Sequence, residues 1–112
     1  MEAQAIAKHI RVGPRKIRKF LPLIRRRHVD DALAALSTYG SPATEALVKC
    51  LRSAMANAEN NHGMSPDELF VAEAIVDESV RIPRIKPRAR GRADRMHRPM
   101  CHIKIVVSDG AE

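Results

Sequence analysis

The stretch "RIKPRARGRADRMHRP" at residues 84–99 carries seven Lys or Arg and a single acid, Asp94. Charges of one sign packed this densely repel each other, and none can be buried without a partner. Most are arginines: Arg81, Arg84, Arg88, Arg90, Arg92, Arg95 and Arg98, joined by Lys86. A guanidinium fork binds phosphate through two hydrogen bonds and stacks on bases, which suits folded RNA. In an extended chain the R-x-R-x-R spacing at 88, 90 and 92 places successive guanidiniums on one side. A second basic group, Arg15, Lys16, Arg18 and Lys19, lies near the start of the chain. The pattern points to a polyanion held from two places.

Charge distribution supports this. Residues 1–27 carry nine Lys or Arg and one acid; residues 28–80 carry two against nine acids; residues 81–112 carry nine against three. The net charge of +7 and pI near 10.1 favour nucleic acid or another anionic surface as partner. Catalytic patterns are lacking. His9, His28, His62, His97 and His102 stand at no metal-ligand spacing, and Cys101-His102 has no companion ligands. No Gly-rich phosphate loop, G-x-S-x-G or H-E-x-x-H occurs. Asp77 and Glu78 adjoin on an expected strand and so point to opposite faces, which suits a solvated pair better than an acid/base pair. No enzyme, cofactor or small-molecule substrate is expected. Cys50 and Cys101 form no disulfide framework and read as small buried residues in a reducing compartment. No apolar run approaches a membrane span and "MEAQAIAKHI" is too polar for a signal peptide, so the expectation is a cytoplasmic protein without membrane contact.

The elements that must carry the charges follow from periodicity. "AIAKHIRV" (5–12) alternates in part, with Ile6, Ile10, Val12 and Lys8 on one face of an expected strand. Gly13-Pro14 breaks it. Ile17, Phe20, Leu21 and Ile24 then form the apolar stripe of a helix, kinked or shortened by Pro22. "VDDALAALSTYG" reads as a second helix with Ala32, Leu33 and Leu36 inward and Gly40 at its end. Ser41 as N-cap and Pro42 at the first position open a long helix, stopped by Asn60, Asn61 and Gly63. Its inward stripe, Ala43, Ala46, Leu47, Cys50, Leu51, Ala54 and Ala58, is small enough for close approach. "SPDEL" (65–69) is a turn or a single helical turn. Residues 70–82 and 100–107 read as strands, the latter with Cys101, Ile103, Ile105 and Val107 on one face and His102 and Lys104 on the other. They are the natural pair of an antiparallel ribbon. If the pairing continues into the basic segment, both strands extend as an arm with "RGRA" around Gly91 at its tip.

A helix-turn-helix within 14–37 would make the chain a DNA-binding regulator, and this is the main rival. Its second helix, however, is acidic where base contacts would fall. Phe20, Tyr39 and Phe70 are too few and too core-like for a stacking platform.

Five blocks, "PRKIRKFLPLIR" (14–25), "SAMANAENNHG" (53–63), "VDES" (76–79), "PRARGRADR" (87–95) and "HIKIVVSD" (102–109), resemble the bacterial large-subunit ribosomal proteins numbered twenty-two (uL-twenty-two). They occur in order and span nearly the whole chain. The resemblance implies an α+β fold: three helices packed on a three-stranded antiparallel sheet, with a long protruding basic β-hairpin. It implies one ribosomal-protein domain, 1–112, with a globular body (1–80 and 100–112) and a hairpin arm (about 81–99). It implies a structural constituent of the large subunit whose partners are large-subunit ribosomal RNA, neighbouring ribosomal proteins and the nascent peptide. The hairpin would line the exit tunnel and take part in subunit assembly. By position, Arg84, Lys86, Arg88, Arg90, Arg92 and Arg95 become hairpin contacts to RNA, and Arg15, Lys16 and Arg18 contacts of the body. The sequence departs from the family at Pro22 and at "SVRIPRIK" (79–86), where Pro83 cannot donate a ladder hydrogen bond.

Overall fold

The computed structural model describes residues 2–109; the ends of the expected body range, Met1 and residues 110–112, lie outside the described residues. Three strands, β1 (Glu2–Ile10), β2 (Phe70–Pro87) and β3 (Ala93–Ser108), form one antiparallel sheet in the order β1-β3-β2. Three helices, α1 (Pro14–Arg18), α2 (Val29–Ser37) and α3 (Pro42–His62), supply the other layer, with 3-10 turns at Leu21–Leu23, Pro66–Glu68 and Ala89–Gly91. The α+β expectation of three helices on a three-stranded antiparallel sheet holds.

The core lies between the helices and one face of the sheet. On β3, Cys101, Ile103, Ile105 and Val107 are fully buried, on the face their alternation assigns them. Leu47, Leu51, Ala54 and Ala58 of α3 meet this face, and the small side chains let the helix lie close. Ser41 caps α3, its hydroxyl accepting from the Ala43 N–H at 3.2 Å, and Gly63 ends it with φ 65°, a left-handed conformation glycine adopts at little cost. Pro22 acts as expected: α1 stops at Arg18 and the chain tightens into the Leu21–Leu23 turn. Ile17, Phe20, Leu21 and Ile24 nevertheless all reach the core.

Two local expectations are corrected. In β1 the buried residues are Ala3 and Ala5, whereas Ile6 is 51% exposed. Side chains on a strand alternate, so burying the alanines forces Ile6 outward. The small face is the one that fits beneath the alanine-rich α3. A register shift between Ala7 and Ile10, with His9 at φ 55°, restores Ile10 to the core side. At the end of α2, the cap is Thr38 rather than Gly40. Ser37 and Thr38 donate their hydroxyls back to the carbonyls of Ala34 and Ala35, both at 2.8 Å, and close the helix early.

β2 is an edge strand, and in the body part of its outward backbone, from Val71 to Val76, is covered. Val71 exchanges two 2.8 Å backbone hydrogen bonds with Arg26 and Arg27. Arg25 donates to the Ala74 carbonyl at 3.2 Å, and Arg18 donates twice to the Val76 carbonyl, at 3.1 and 2.7 Å. At the other edge, the Asn57 amide of α3 donates to the Gln4 carbonyl of β1 at 2.9 Å. Edges covered this way offer less backbone for another chain to pair with.

Candidate nucleic-acid interface

Strand pairing runs on past the core into the basic segment. The register passes from Arg81↔Pro99 through Pro83↔His97 and Ile85↔Arg95 to Pro87↔Ala93. No residue from Asp77 to Pro99 is buried, and the molecule measures 62 × 26 × 19 Å. Pro83 is accommodated because the arm has only two strands, so its missing N–H faces no third one. A register shift between Glu78 and Arg81 marks the exit of β2 from the body.

Alternation along the paired strands sorts the arm's side chains onto two faces. One holds Ile82, Arg84, Lys86, Asp94, Met96 and Arg98; the other holds Arg81, Pro83, Ile85, Arg95, His97 and Pro99. Cations therefore project from both sides of the ribbon. At the tip the expected extended R-x-R-x-R row does not form. Residues 89–91 turn, with Arg90 at φ 62° and Gly91 at φ 71°. The Arg88 N–H donates to the Arg92 carbonyl at 2.6 Å, and the Arg88 guanidinium grips Asp94 at 2.5 Å. The tip is thus tied by its single acid, and the left-handed backbone at Arg90 breaks the extended run between Arg88 and Arg92.

The basic residues are not equally free. Arg81 pairs with Glu78 at 3.3 Å, and Arg84 donates to the neighbouring Pro83 carbonyl at 3.0 Å. Lys86, Arg90, Arg92, Arg95 and Arg98 have no carboxylate partner among the described residues. Arg15 and Lys16 of α1 are exposed, and so is Lys19 just past its end, which sits over the Phe20 ring at 5.1 Å. Arg18 is committed to the Val76 carbonyl and holds α1 to the sheet. Sequence reasoning did not foresee this, nor the role of Arg25, because neither motif nor period marks a side chain that reaches a backbone carbonyl. It also passed over Arg11, which stands beside the arm root with Lys16, Arg84 and Arg98.

Other chemistry is poorly served. No group of three or more His, Cys, Asp or Glu among the described residues is placed to hold a metal ion. Both cysteines are buried. Burial pushes the Cys50 thiol up, against hydrogen bonding at Ala7 and Ile105, and pushes the Cys101 thiol up against the nearby charge of Arg18. A protonated thiol is a poor nucleophile. The helix-turn-helix reading finds only a five-residue first helix, and a second whose first turn carries Asp30 and Asp31. Phe20 packs edge-to-face on Tyr39 at 5.2 Å rather than standing open to a base.

Fold and surface define a small basic α+β protein with an extended cationic arm. The family comparison is specific: the model for ribosomal protein L22p/L17e matches residues 5–108. The chain is 51% identical over 109 residues to the large ribosomal subunit protein uL22 of Thermoanaerobacter sp. (strain X514), covering 97% of this chain and 98% of the relative. It is 48% identical over 111 residues to that of Desulfitobacterium hafniense (strain DSM 10664 / DCB-2), covering 99% and 97%. The protein of the same name from Staphylococcus haemolyticus (strain JCSC1435) is 46% identical over 112 residues, covering 100% and 96%. The chain belongs to the ribosomal protein L22p/L17e family. It is a structural constituent of the large ribosomal subunit in the cytoplasm, in a family that is structural rather than catalytic.

Proposed function

We propose that this chain binds and organises large-subunit ribosomal RNA by placing its arm among RNA segments that close around it. The observation that carries the proposal is the two-faced arm. Arg84, Lys86 and Arg98 project from one side of the ribbon and Arg95 from the other, beside Arg81, which Glu78 already holds, so a single flat RNA surface would leave unneutralised charge on one face. RNA on both sides neutralises both. The body, 1–80 and 100–112, acts as a holder whose core lies within the described residues 2–80 and 100–109, and residues 81–99 form the inserted arm. In this role the arm stabilises one arrangement of RNA segments and so assists subunit assembly.

By the family resemblance, the tip at Arg88–Arg92 reaches the wall of the exit tunnel, where the nascent peptide passes. The Arg88–Asp94 pair and the Ala89–Gly91 turn keep that tip compact. Arg15, Lys16 and the outer face of Lys19 contact RNA at the body, while Arg18 contributes chiefly by fixing α1. Tethering a hydroxyl-radical source at Ala93→Cys in reconstituted subunits tests the placement. Cuts confined to RNA that lines the tunnel support it; cuts only at the subunit's outer surface overturn it.

A further inference from the structure

The arm root meets the body closely at Gly13. A Cβ on Gly13 would lie 3.2 Å from Cγ of Pro99, so the turn between β1 and α1 rests directly on the arm root. On one side of this contact is a cleft of about 680 Å³. Arg11, Lys16, Arg84 and Arg98 line it, with Ser41 and Ala43 at the start of α3. No carboxylate is among its lining residues. Arg11, Lys16 and Arg98 have no carboxylate partner among the described residues, and Arg84 has only the Pro83 carbonyl. Cations from the β1–α1 turn, α1 and both arm strands thus converge on one space with nothing to neutralise them.

The opposite side of the same contact differs. There a cleft of about 640 Å³ is lined by Arg15, Lys16, Arg18 and Arg81, together with Glu78. Glu78 holds Arg81, and Arg18 is held by the Val76 carbonyl. That cleft is partly neutralised from within, and the first is not.

We propose that the cleft formed by Arg11, Lys16, Arg84 and Arg98 is a seat for the phosphates of an RNA strand that turns sharply at the arm root. The proposal rests on the RNA-binding reading and adds to it a local site, an unassigned residue (Arg11) and a shape of ligand. A regular duplex is far wider than a cleft of this size and cannot carry its phosphates into it. A turning strand brings successive phosphates into one space, where they repel each other unless concentrated positive charge receives them. Arginine forks supply that charge with direction, and the start of the 21-residue α3 adds its positive dipole end to the floor. The seat also explains the Gly13–Pro99 contact. It fixes β1, α1 and the arm at one mutual position, so that RNA bound there sets how the arm enters.

The test is equilibrium binding of the full chain to a large-subunit ribosomal transcript between 50 and 300 mM KCl. One triple variant carries Arg11→Gln, Lys16→Gln and Arg98→Gln. A control triple, Arg27→Gln, Lys49→Gln and Arg52→Gln, removes the same charge elsewhere on the exposed surface. The root triple is expected to lose on the order of tenfold in affinity at 150 mM, with the salt slope shallower by about 2, one single-strand contact contributing about 0.7. The control is expected to change by less than about threefold. Equal losses in the two triples would mean that only total charge matters and would overturn the seat. An unchanged root triple, with Arg90→Gln/Arg92→Gln weakened, would overturn it while leaving RNA binding by the arm intact. A plain RNA duplex bound as tightly as the transcript would overturn the turning-strand ligand. A wild-type chain that ignores the transcript would remove the reading beneath the proposal as well.

Discussion

Two arginines look alike in the sequence and behave differently in the fold. Arg18 and Arg15 share α1 and are both exposed, yet Arg18 spends its guanidinium on the Val76 carbonyl whereas Arg15 makes no such bond among the described residues. Charge-assisted hydrogen bonds of this kind contribute roughly 1.5–3 kcal/mol. Arg18→Met keeps the stem and deletes the clamp, so it is expected to lower unfolding stability by about 1–3 kcal/mol in urea titration. Arg15→Met is expected to leave stability unchanged and weaken RNA binding. The buried thiols give a second prediction at this scale. Burial raises both above the ordinary thiol value of 9.0. A group whose folded value is raised contributes stability that is whole below its unfolded value and is lost as pH rises through its folded value. The urea midpoint should therefore fall as pH climbs above about 9, and fall less steeply in a Cys50→Ala/Cys101→Ala variant. A thiol-specific reagent should label neither cysteine at pH 8 until urea is added.

At the scale of elements, period and punctuation were readable where one physical demand dominates. Ser41-Pro42 and Gly63 bracket α3 because caps act locally. Cys101, Ile103, Ile105 and Val107 declare their face because β3 is central and its buried row is large and apolar. β1 misled because its inward row is alanine: the apolar pattern pointed to Ile6, but the space under α3 accepts only the smaller face. Packing across elements decided that, and no single segment contains it. The bulge at His9 and the turn at Arg90 were hidden for a related reason, since positive φ at a residue other than glycine is imposed by neighbours. The close α3–β1 fit predicts that Ala54→Leu overpacks the core and costs about 1–3 kcal/mol in stability. The lack of any buried residue from Asp77 to Pro99 predicts that replacing 84–96 by an Asn-Gly turn leaves the far-ultraviolet circular dichroism of the body and its cooperative melting intact. Collapse of both would contradict a body that holds its shape without the arm.

For the whole molecule, the segregation of charge seen in the sequence becomes a division of labour. The candidate site was legible as a set of residues, since density of arginine needs no fold to be noticed. Its geometry was not: which cations are tied up, that both faces of the ribbon are charged, and that Arg11 joins the arm root all depend on strand register and on the Gly13–Pro99 contact. The central claim is that the arm, enclosed by folded RNA, supplies most of the binding. It is tested most directly by measuring affinity for a large-subunit ribosomal transcript as a function of salt, for the full chain and for the chain lacking residues 84–96. That segment carries six Lys or Arg. The full chain should lose on the order of a thousandfold in affinity between 50 and 200 mM salt, and the shortened chain should show a much shallower dependence, with weaker binding throughout. Identical salt dependence in the two chains would contradict the account.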